Sequence, residues 1–406
     1  MSQSADVFQD SDPESFSGNF YELHHREGFA PPPELMRYSE QAPVLADTSE
    51  LKQDWIVTGR EEVRAVLGDA ERFSTLPPAE SAEDSRRVVQ IGNPLMHDPP
   101  EHTRLRKMLT PEFTVRRMRR MEPLIERIVA DRLDVMERAG RPVDLMRHFA
   151  WPIPGLVGGA LLGVPRDDQA ELARTLDVSR RTEGNWKARR TAANAFDGYM
   201  ARFVQQKRRV QADDMLSMLI REHGADATDK ELVGICASII AAGLENMAGM
   251  LGMGVLALLR HPEQLAALRE RPELMDHAVE ELLRYTSVVP VASPRTALED
   301  VPLGDEVIKE GQVVSCSFMT VNFGPTPGEE DREGLDITRE DTSHMAFGHG
   351  IHYCVAAALA RLELRIAFTL LLERFPGLRL GVPEDGLRYR PTRLGTWSVE
   401  VLPVTW

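Results

Sequence analysis

Cysteine is scarce in this chain. Cys236, Cys316 and Cys354 form an odd and sparse set among 406 residues. Such a set does not build a disulfide framework, and it is typical of proteins from a reducing compartment. The cysteine content therefore predicts a cytoplasmic protein with three unpaired thiols.

Basic charge and long apolar runs are also in short supply. The chain has 48 Lys and Arg against 63 Asp and Glu, which gives a net charge of −15 at pH 7. This acidic balance argues against nucleic acid as the main partner. No apolar run reaches the ~18 residues that a membrane span requires, and the polar, acidic residues 1–16 contain no apolar signal core. We therefore expect neither a nucleic acid nor a membrane as partner.

The most informative stretch is the loop from Phe347 to Cys354, together with the apolar run that follows it. Gly348 and Gly350 allow a backbone with positive φ that can wrap closely around a flat ligand. The run after Cys354 contains no proline before Pro376 and favours a helix. The unpaired N–H groups and the dipole at a helix start favour the thiolate form of a cysteine. A thiolate in this position is a natural axial ligand for haem iron.

From the residues alone, two other interpretations stay open. In the first, Cys354 is an ordinary buried thiol. In the second, it binds zinc together with His344, His349 and His352, which lie close to it in the sequence.

The stretch resembles the haem-binding signature of the cytochrome P450 family, Phe-Gly-x-Gly-x-His-x-Cys-x-Gly-x-x-Leu-Ala. Ala356 stands where the family usually has glycine, and alanine is small enough for the helix to pack against haem. The resemblance implies haem b as the cofactor and Cys354 as the ligand of its iron. It also implies that Phe347, Gly348 and His352 belong to the haem-binding loop.

The extent of the resemblance bears on domain organisation. Length alone would suggest about two or three domains, but the resemblance covers residues 40–406. It implies a mainly α cytochrome P450 fold, in which residues 21–406 form a single helical haem domain with small β subdomains. Residues 1–20 are polar and acidic, and we predict that they form a flexible tail.

Glu281 and Arg284 carry the family's Glu-x-x-Arg pair. A spacing of three residues places both side chains on one helix face, where they can pair. The motif occurs by chance in many helices, but its place upstream of a haem-like loop resembles the family's structural pair. We assign it to the scaffold. Further on, residues 321–325 depart from the Asn-Arg-Asp usual there, because Phe323 and Gly324 follow Asn322.

His102 and Arg106 lie four residues apart on a helix that Asp98 and two prolines introduce. Two donors on one helix face suit an anionic group, although a solvated basic helix is the commoner explanation. The resemblance implies that His102 and Arg106 bind the haem propionates, together with His352 and with Arg295 in the extended segment 287–295.

A capping box, Thr228-Asp-Lys-Glu231, predicts the start of a helix that runs without proline to Arg260. At 1.5 Å per residue this helix is ~45 Å long. Its midpoint, residues 242–246, resembles the family's oxygen-binding groove, Ala-Gly-x-Glu/Asp-Thr, or is a buried helix with ordinary glycine packing. Glu245 keeps the acidic position. Asn246 replaces the threonine, and its amide can hydrogen-bond but has no hydroxyl to relay a proton.

Two surface features point to partners. A basic cluster on this acidic chain is either solvated surface or, as the resemblance implies, lies near the docking face of a ferredoxin-type electron donor. The second feature, Pro165-Arg-Asp-Asp168, is ordinary dipole complementation at a helix start, or resembles a carrier-docking motif of enzymes that cross-link glycopeptide antibiotics. The basic cluster comprises Arg104, Lys107, Arg116, Arg117, Arg119 and Arg120.

The resemblance implies a haem-thiolate oxidoreductase, a monooxygenase of bacterial secondary metabolism that activates O2 with two electrons from a redox partner. Asn246, residues 249–264 and residues 165–168 resemble actinobacterial enzymes that form aromatic cross-links in a carrier-bound peptide during antibiotic biosynthesis. The alternatives are hydroxylation or epoxidation of a polyketide, terpenoid or peptide, and a haem-binding sensor without turnover. We expect the substrate pocket to draw on residues 76–95, 239–243, 289–293 and 394–397.

Overall fold

Helices dominate the part of the chain that the computed structural model describes. That part comprises residues 26, 28–37, 44–48, 53–77, 91–165, 167–169, 186–325, 332–391 and 395–406. The predicted tail, residues 1–20, lies outside it. The helices are α1 Pro33–Arg37, α2 Arg60–Gly68, α3 Glu101–Leu109, α4 Val115–Met118, α5 Glu122–Ala139, α6 Pro152–Leu162, α7 Trp186–Arg209, α8 Met215–His223, α9 Asp229–Arg260, α10 Pro262–Glu270, α11 Met275–Thr286, α12 Phe318–Phe323 and α13 Ala357–Arg374.

Short strands gather into small sheets beside the helices. A five-stranded sheet has the order β1-β2-β8-β5-β3, in which β2 and β8 are parallel and the other pairs are antiparallel. The strands β4, β12 and β9 form a second sheet, and β6–β7 and β10–β11 form hairpins. The strands are β1 Val44–Thr48, β2 Gln53–Val57, β3 Phe73–Ser74, β4 Val143–Asp144, β5 Arg295–Ala297, β6 Val301–Leu303, β7 Glu306–Ile308, β8 Val313–Cys316, β9 Arg379–Leu380, β10 Tyr389–Pro391, β11 Trp397–Val399 and β12 Pro403–Thr405.

The long helix α9 is the centre of the core. Its predicted capping box is present: the Thr228 hydroxyl accepts from the Glu231 N–H at 3.2 Å, and the Glu231 carboxylate accepts from the Thr228 N–H at 2.7 Å. Every residue of the segment 247–258 is buried, and α9 packs against α6, α7, α11 and α13. By length and composition alone α9 could cross a membrane, and 44% of its most apolar window is buried inside the protein.

The predicted ion pair on α11 is fully buried and is part of a larger network. Arg284 donates to both carboxylate oxygens of Glu281, at 2.7 and 2.8 Å, and both side chains have 0% exposure. The same guanidinium donates to the backbone carbonyls of Asn322, Arg332 and Gly334 at 2.7–2.8 Å. It therefore fixes two segments that are distant in the sequence.

Some local expectations differ from the structure. The helix predicted in the apolar run after Cys354 begins only at Ala357 and ends at Arg374. Asp98 does not cap α3 with its side chain, because that carboxylate accepts from Ser74 and Thr75 instead. Strand β8 ends at Cys316, and α12 begins at Phe318, after its capping residue Ser317.

We expect Arg284→Met to destabilise the chain by roughly 3–5 kcal/mol, because it leaves the Glu281 carboxylate buried without its bidentate partner. Arg374→Met is the matched control, since it removes the same charge from an exposed pair with Asp134 and Glu137 and should leave the stability nearly unchanged. Urea unfolding followed by circular dichroism measures both. Equal losses would mean that the buried network does not stabilise the fold.

Candidate haem-binding site

The loop before α13 has the tight form that its glycines predict. Gly348 and Gly350 have φ of 75° and 72°, in the left-handed region that favours glycine. A Cβ at Gly350 would collide with the backbone carbonyl of Leu67. The loop closes on itself, because the Cys354 N–H donates to the Phe347 carbonyl at 2.9 Å. Its backbone therefore packs against α2 and turns the Cys354 thiol towards the start of α13.

The electrostatics of Cys354 differ from the expectation for a cysteine at a helix start. Burial raises the pKa of the Cys354 thiol above its ordinary value. A hydrogen bond from the backbone of Ala356 and the charges of Arg106 and Arg361 act in the opposite direction. The helix begins at Ala357, three residues later than the expected start, and burial outweighs the backbone hydrogen bond in setting this pKa. A cation bound at the sulfur is what stabilises a thiolate in such a place.

The zinc interpretation is wrong for the described residues, in which no three His, Cys, Asp or Glu side chains converge to hold a metal ion. His344 contacts the Glu280 carboxylate at 3.2 Å and accepts from the Ala346 N–H at 3.1 Å. Its ring nitrogens are therefore used within the scaffold. His352 lies against His102 instead, so the four side chains do not form a zinc site.

His102 and His352 come together as the resemblance implies, with ring centroids 4.4 Å apart. Nδ1 of His352 is buried and finds no hydrogen-bond partner among the described residues. The His102 ring is buried too and has only a weak contact with the Ile351 backbone. Burial, followed by the charge of Arg106, lowers the pKa of His102. Burial, followed by the charge of Arg295, lowers the pKa of His352 to about 3. The four side chains predicted to bind the propionates are therefore close enough for their positive charges to repel one another.

An anion bound between these four side chains would offset the repulsion among their positive charges. Burial lowers the pKa of Arg106, and no carboxylate in the described part of the chain forms a salt bridge with it. Asp98 lies near both histidines, but its oxygens already accept from Ser74 and Thr75. Unpartnered buried donors cost free energy unless a ligand satisfies them. The donors therefore fit the two propionates of haem, and the nearby thiol fits its iron.

The midpoint of α9 has the form of a groove. Ala241 is exposed and residues 242–246 are only partly buried, in contrast to the buried segment 247–258. A Cβ at Gly243 would meet nothing within 4 Å, so open space lies beside this position. Asn246 is tied to the C-terminal hairpin, because its side-chain Oδ1 accepts from the Thr396 hydroxyl at 2.5 Å. Of the expected pocket segments, residues 78–90 and 392–394 lie outside the described residues.

Sequence reasoning missed three residues at this site. Arg361 packs its guanidinium 4.5 Å from the Phe347 ring and pairs with Glu280 at 2.6 and 2.7 Å. Arg339 adds a second cation, 3.3 Å from the Glu281 carboxylate. Thr396 was placed only in a pocket segment. Arg361 lies two helical turns after Cys354 and could have been found from that spacing, whereas Arg339 and Thr396 carry no signal in the sequence.

The basic cluster separates into two groups. Arg104 pairs with Glu101 and Glu231, and Arg117 pairs with the buried Glu112 at 2.8 Å, so these two cations serve the scaffold. The remaining members are exposed and make no ion pair with described residues; we call them the basic patch, and they are Lys107, Arg116, Arg119 and Arg120. In the second surface motif, Asp168 accepts from the Tyr199 hydroxyl at 3.3 Å, and Arg166 lies outside the described residues.

Comparisons with known proteins agree with this geometry. The cytochrome P450 family pattern matches residues 49–377. Cytochrome P450 165C4 of Amycolatopsis orientalis is 44% identical over 356 residues, which are 87% of this chain and 86% of that protein. OxyB, solved as a complex with the X-domain from teicoplanin biosynthesis, is 44% identical, with a TM-score of 0.85. The match covers 95% of this chain and 99% of that chain.

A further relative is OxyC, implicated in an oxidative C–C coupling reaction during vancomycin biosynthesis. It is 42% identical, with a TM-score of 0.85 and coverage of 94% of this chain and 96% of that chain. The matches span nearly the whole molecule, and the family match contains the Glu-x-x-Arg helix, the groove of α9 and the whole cysteine loop. The chain therefore belongs to the cytochrome P450 family of haem-dependent monooxygenases.

Proposed function

We propose that Cys354 ligates the iron of haem b as a thiolate and that His102, Arg106, Arg295 and His352 hold the propionates. The observation that carries this proposal is the convergence of the buried His102 and His352 rings, with an unpartnered Nδ1 on His352, beside the glycine loop of Cys354. When bound, a thiolate-ligated haem supplies activation of O2. Phe347 and Gly348 shape the loop, because Phe347 carries the carbonyl that receives the Cys354 N–H.

In this proposal, Glu245 and Asn246 act at the groove of α9. The Asn246 amide can donate to a ligand there, but it cannot pass a proton through a hydroxyl. Glu245 is the acidic group that can exchange a proton with water in the groove. This pair therefore favours control of protons by positioned hydrogen bonds over a hydroxyl relay.

The reaction we propose is oxidative cross-linking of aromatic side chains in a carrier-bound peptide, as part of bacterial secondary metabolism. The support is the similarity to OxyB and OxyC over at least 94% of the chain, together with Asn246 and the Pro165–Asp168 motif. A second candidate is hydroxylation or epoxidation of a small natural product. It is favoured by the 38% identity over 387 residues to the monooxygenase PikC of Streptomyces venezuelae. The groove of α9 argues against a sensor without turnover.

The charges on the surface and the composition of the chain indicate its electron donor and its compartment. The basic patch suits an acidic, ferredoxin-type electron donor, since opposite charges steer such encounters. Three unpaired cysteines and the acidic balance of the chain favour a cytoplasmic protein. The burial of α9 among α6, α7, α11 and α13 favours a core helix over a membrane span.

A carrier-bound peptide distinguishes the two reactions. If Pro165–Asp168 recruits a carrier, the carrier-bound peptide should bind at least about ten-fold better than the free peptide, through effective concentration. Spectral titration of the holoenzyme measures this ratio. Mass spectrometry of the product measures the chemistry, in which loss of two hydrogens marks a cross-link and gain of one oxygen marks hydroxylation. Oxygenation of a small free substrate with no response to a carrier-bound peptide would contradict cross-linking.

A double variant tests the motif itself. Arg166→Ala with Asp167→Ala should abolish the advantage of the carrier and leave binding of the free peptide unchanged. Asp168 is spared because its carboxylate contacts Tyr199. Arg374→Ala with Asp134→Ala is the matched control, since it removes the same residue types from an exposed pair elsewhere. If the control lost the advantage equally, the motif would have no docking role.

Reversal of charge tests the basic patch. Arg116→Glu with Arg119→Glu should slow reduction by a ferredoxin at low salt and flatten the salt dependence of the rate. Arg117 is spared because its reversal would leave Glu112 buried beside a like charge. The control is Arg202→Glu with Arg209→Glu, an equal change of net charge on exposed residues of α7. Stopped-flow reduction rates that fall equally in both pairs would assign the effect to net charge.

A further inference from the structure

Thr396 is the residue that connects the C-terminal hairpin to the groove of α9. Its side chain is 1% exposed, and its hydroxyl donates to Oδ1 of Asn246 at 2.5 Å. The hairpin approaches this closely because residue 249 has no side chain: a Cβ on Gly249 would lie 3.0 Å from the Thr396 methyl. The next residue, Trp397, is fixed by its backbone N–H, which donates to the Val288 carbonyl at 2.7 Å.

The hydrogen bond decides which way the Asn246 amide faces. A hydroxyl buried in protein needs an acceptor for its own proton. Among the described residues, Oδ1 of Asn246 is the acceptor that Thr396 has. If the amide turned over, its NH2 group would donate to Thr396, and the buried hydroxyl proton would be left without a partner, which costs free energy. The orientation with Oδ1 towards Thr396 is therefore the satisfied one.

We infer that Thr396 is a positioning residue, which holds Oδ1 of Asn246 at the hairpin and thereby presents its NH2 group to the open space of the groove. This inference rests on the proposed function, because it assigns the groove to the diatomic ligand of the haem. The NH2 group is a donor only, because the lone pair of its nitrogen is delocalised into the amide and does not accept a proton. Asn246 can therefore hydrogen-bond an acceptor in the groove from a fixed direction, but it cannot hand a proton on.

This arrangement separates two properties that a threonine would combine. A threonine hydroxyl at position 246 could donate and accept at once, and would need no partner on the hairpin. Here the accepting atom of the side chain is turned away and occupied, and the donating atoms remain. Asn246 thus makes the contact in the groove, and Thr396 fixes the direction of its amide.

The test is the infrared C–O stretch of the ferrous holoenzyme with carbon monoxide. A donor aimed at carbon monoxide lowers this frequency, so the wild-type protein should show a lowered band, and Asn246→Ala should show the band without a donor. Thr396→Val keeps the shape and removes the hydroxyl, so the amide is free to turn. We expect it to add a second band near that of Asn246→Ala. Thr396→Ala repeats the test with a side chain that cannot clash.

Two controls keep the hydroxyl contact. Thr396→Ser retains the donor and should keep the wild-type band. Ser398→Ala removes a buried hydroxyl two residues along the same strand, whose weak contact with the Val399 carbonyl at 3.3 Å does not involve Asn246, and should also keep the band. A coupling ratio of product to reducing equivalents that changes by a factor of about five in Thr396→Val, and not in Thr396→Ser, is the expected second readout.

The outcomes separate this inference from the proposed function. A wild-type holoenzyme whose carbon monoxide complex lacks the thiolate-type absorption would overturn the proposed function and this inference together. A thiolate-type complex in which Thr396→Val and Thr396→Ala both keep the single wild-type band would overturn the role of Thr396 and leave the proposed function intact.

Discussion

The buried ion pair between Glu281 and Arg284 is the contact on which the geometry of the site depends. Two charges at 0% exposure are costly to desolvate, and they are tolerated because nearly every donor and acceptor is used. Arg284 donates to three backbone carbonyls, and the Glu281 carboxylate also accepts from the Asp336 N–H at 2.9 Å. The pair therefore fixes the backbone at Asn322, Arg332, Gly334 and Asp336.

From this ion pair, hydrogen bonds lead to the thiol loop. The side chain of Asn322, whose carbonyl receives Arg284, accepts from the Met345 N–H at 2.7 Å. The Met345 carbonyl accepts from the Gly348 N–H at 2.9 Å, and the Phe347 carbonyl accepts from Cys354. An ion pair on α11 thus sets the position of a sulfur some seventy residues later, through backbone groups that side-chain substitution cannot easily remove.

The residues proposed to bind the propionates are held in place in a different way. His102, Arg106, Arg295 and His352 are brought together, and Nδ1 of His352 is buried without a hydrogen-bond partner among the described residues. In the proposed function, the propionates of haem satisfy these side chains. The apolar core around α9 stabilises the fold. The fold therefore does not depend on hydrogen bonds made by these donors.

Much of this could be predicted from local sequence, because the responsible interactions are local. The capping box at Thr228, the Glu281–Arg284 spacing and the glycine loop each involve residues a few positions apart, and each was confirmed. What could not be predicted depends on contacts between distant segments. Thr396 meets Asn246 across 150 residues, and Asp98 prefers the hydroxyls of Ser74 and Thr75 to the helix that it precedes.

Residues 322–324, which depart from the family's Asn-Arg-Asp, also show the difference between local and long-range interactions. Pattern matching marks Phe323 and Gly324 as unusual and places the local pairing in doubt. The structure shows that Asn322, which is retained, makes the contacts with Met345 and Ser287. The Phe323 ring lies over the Arg284 guanidinium at 5.7 Å. Burial of Cys354 likewise outweighs the helix start in setting its pKa, a balance that only the three-dimensional surroundings reveal.

The central claim is that the Cys354 thiolate is the ligand of a bound haem iron. Its most direct test is the absorption spectrum of the ferrous–carbon monoxide complex of the purified protein and of Cys354→His. The account predicts a thiolate-type band for the wild-type protein that moves to the histidine-type position in Cys354→His. A purified protein that contains zinc and no porphyrin, or a band that the substitution leaves in place, would contradict it.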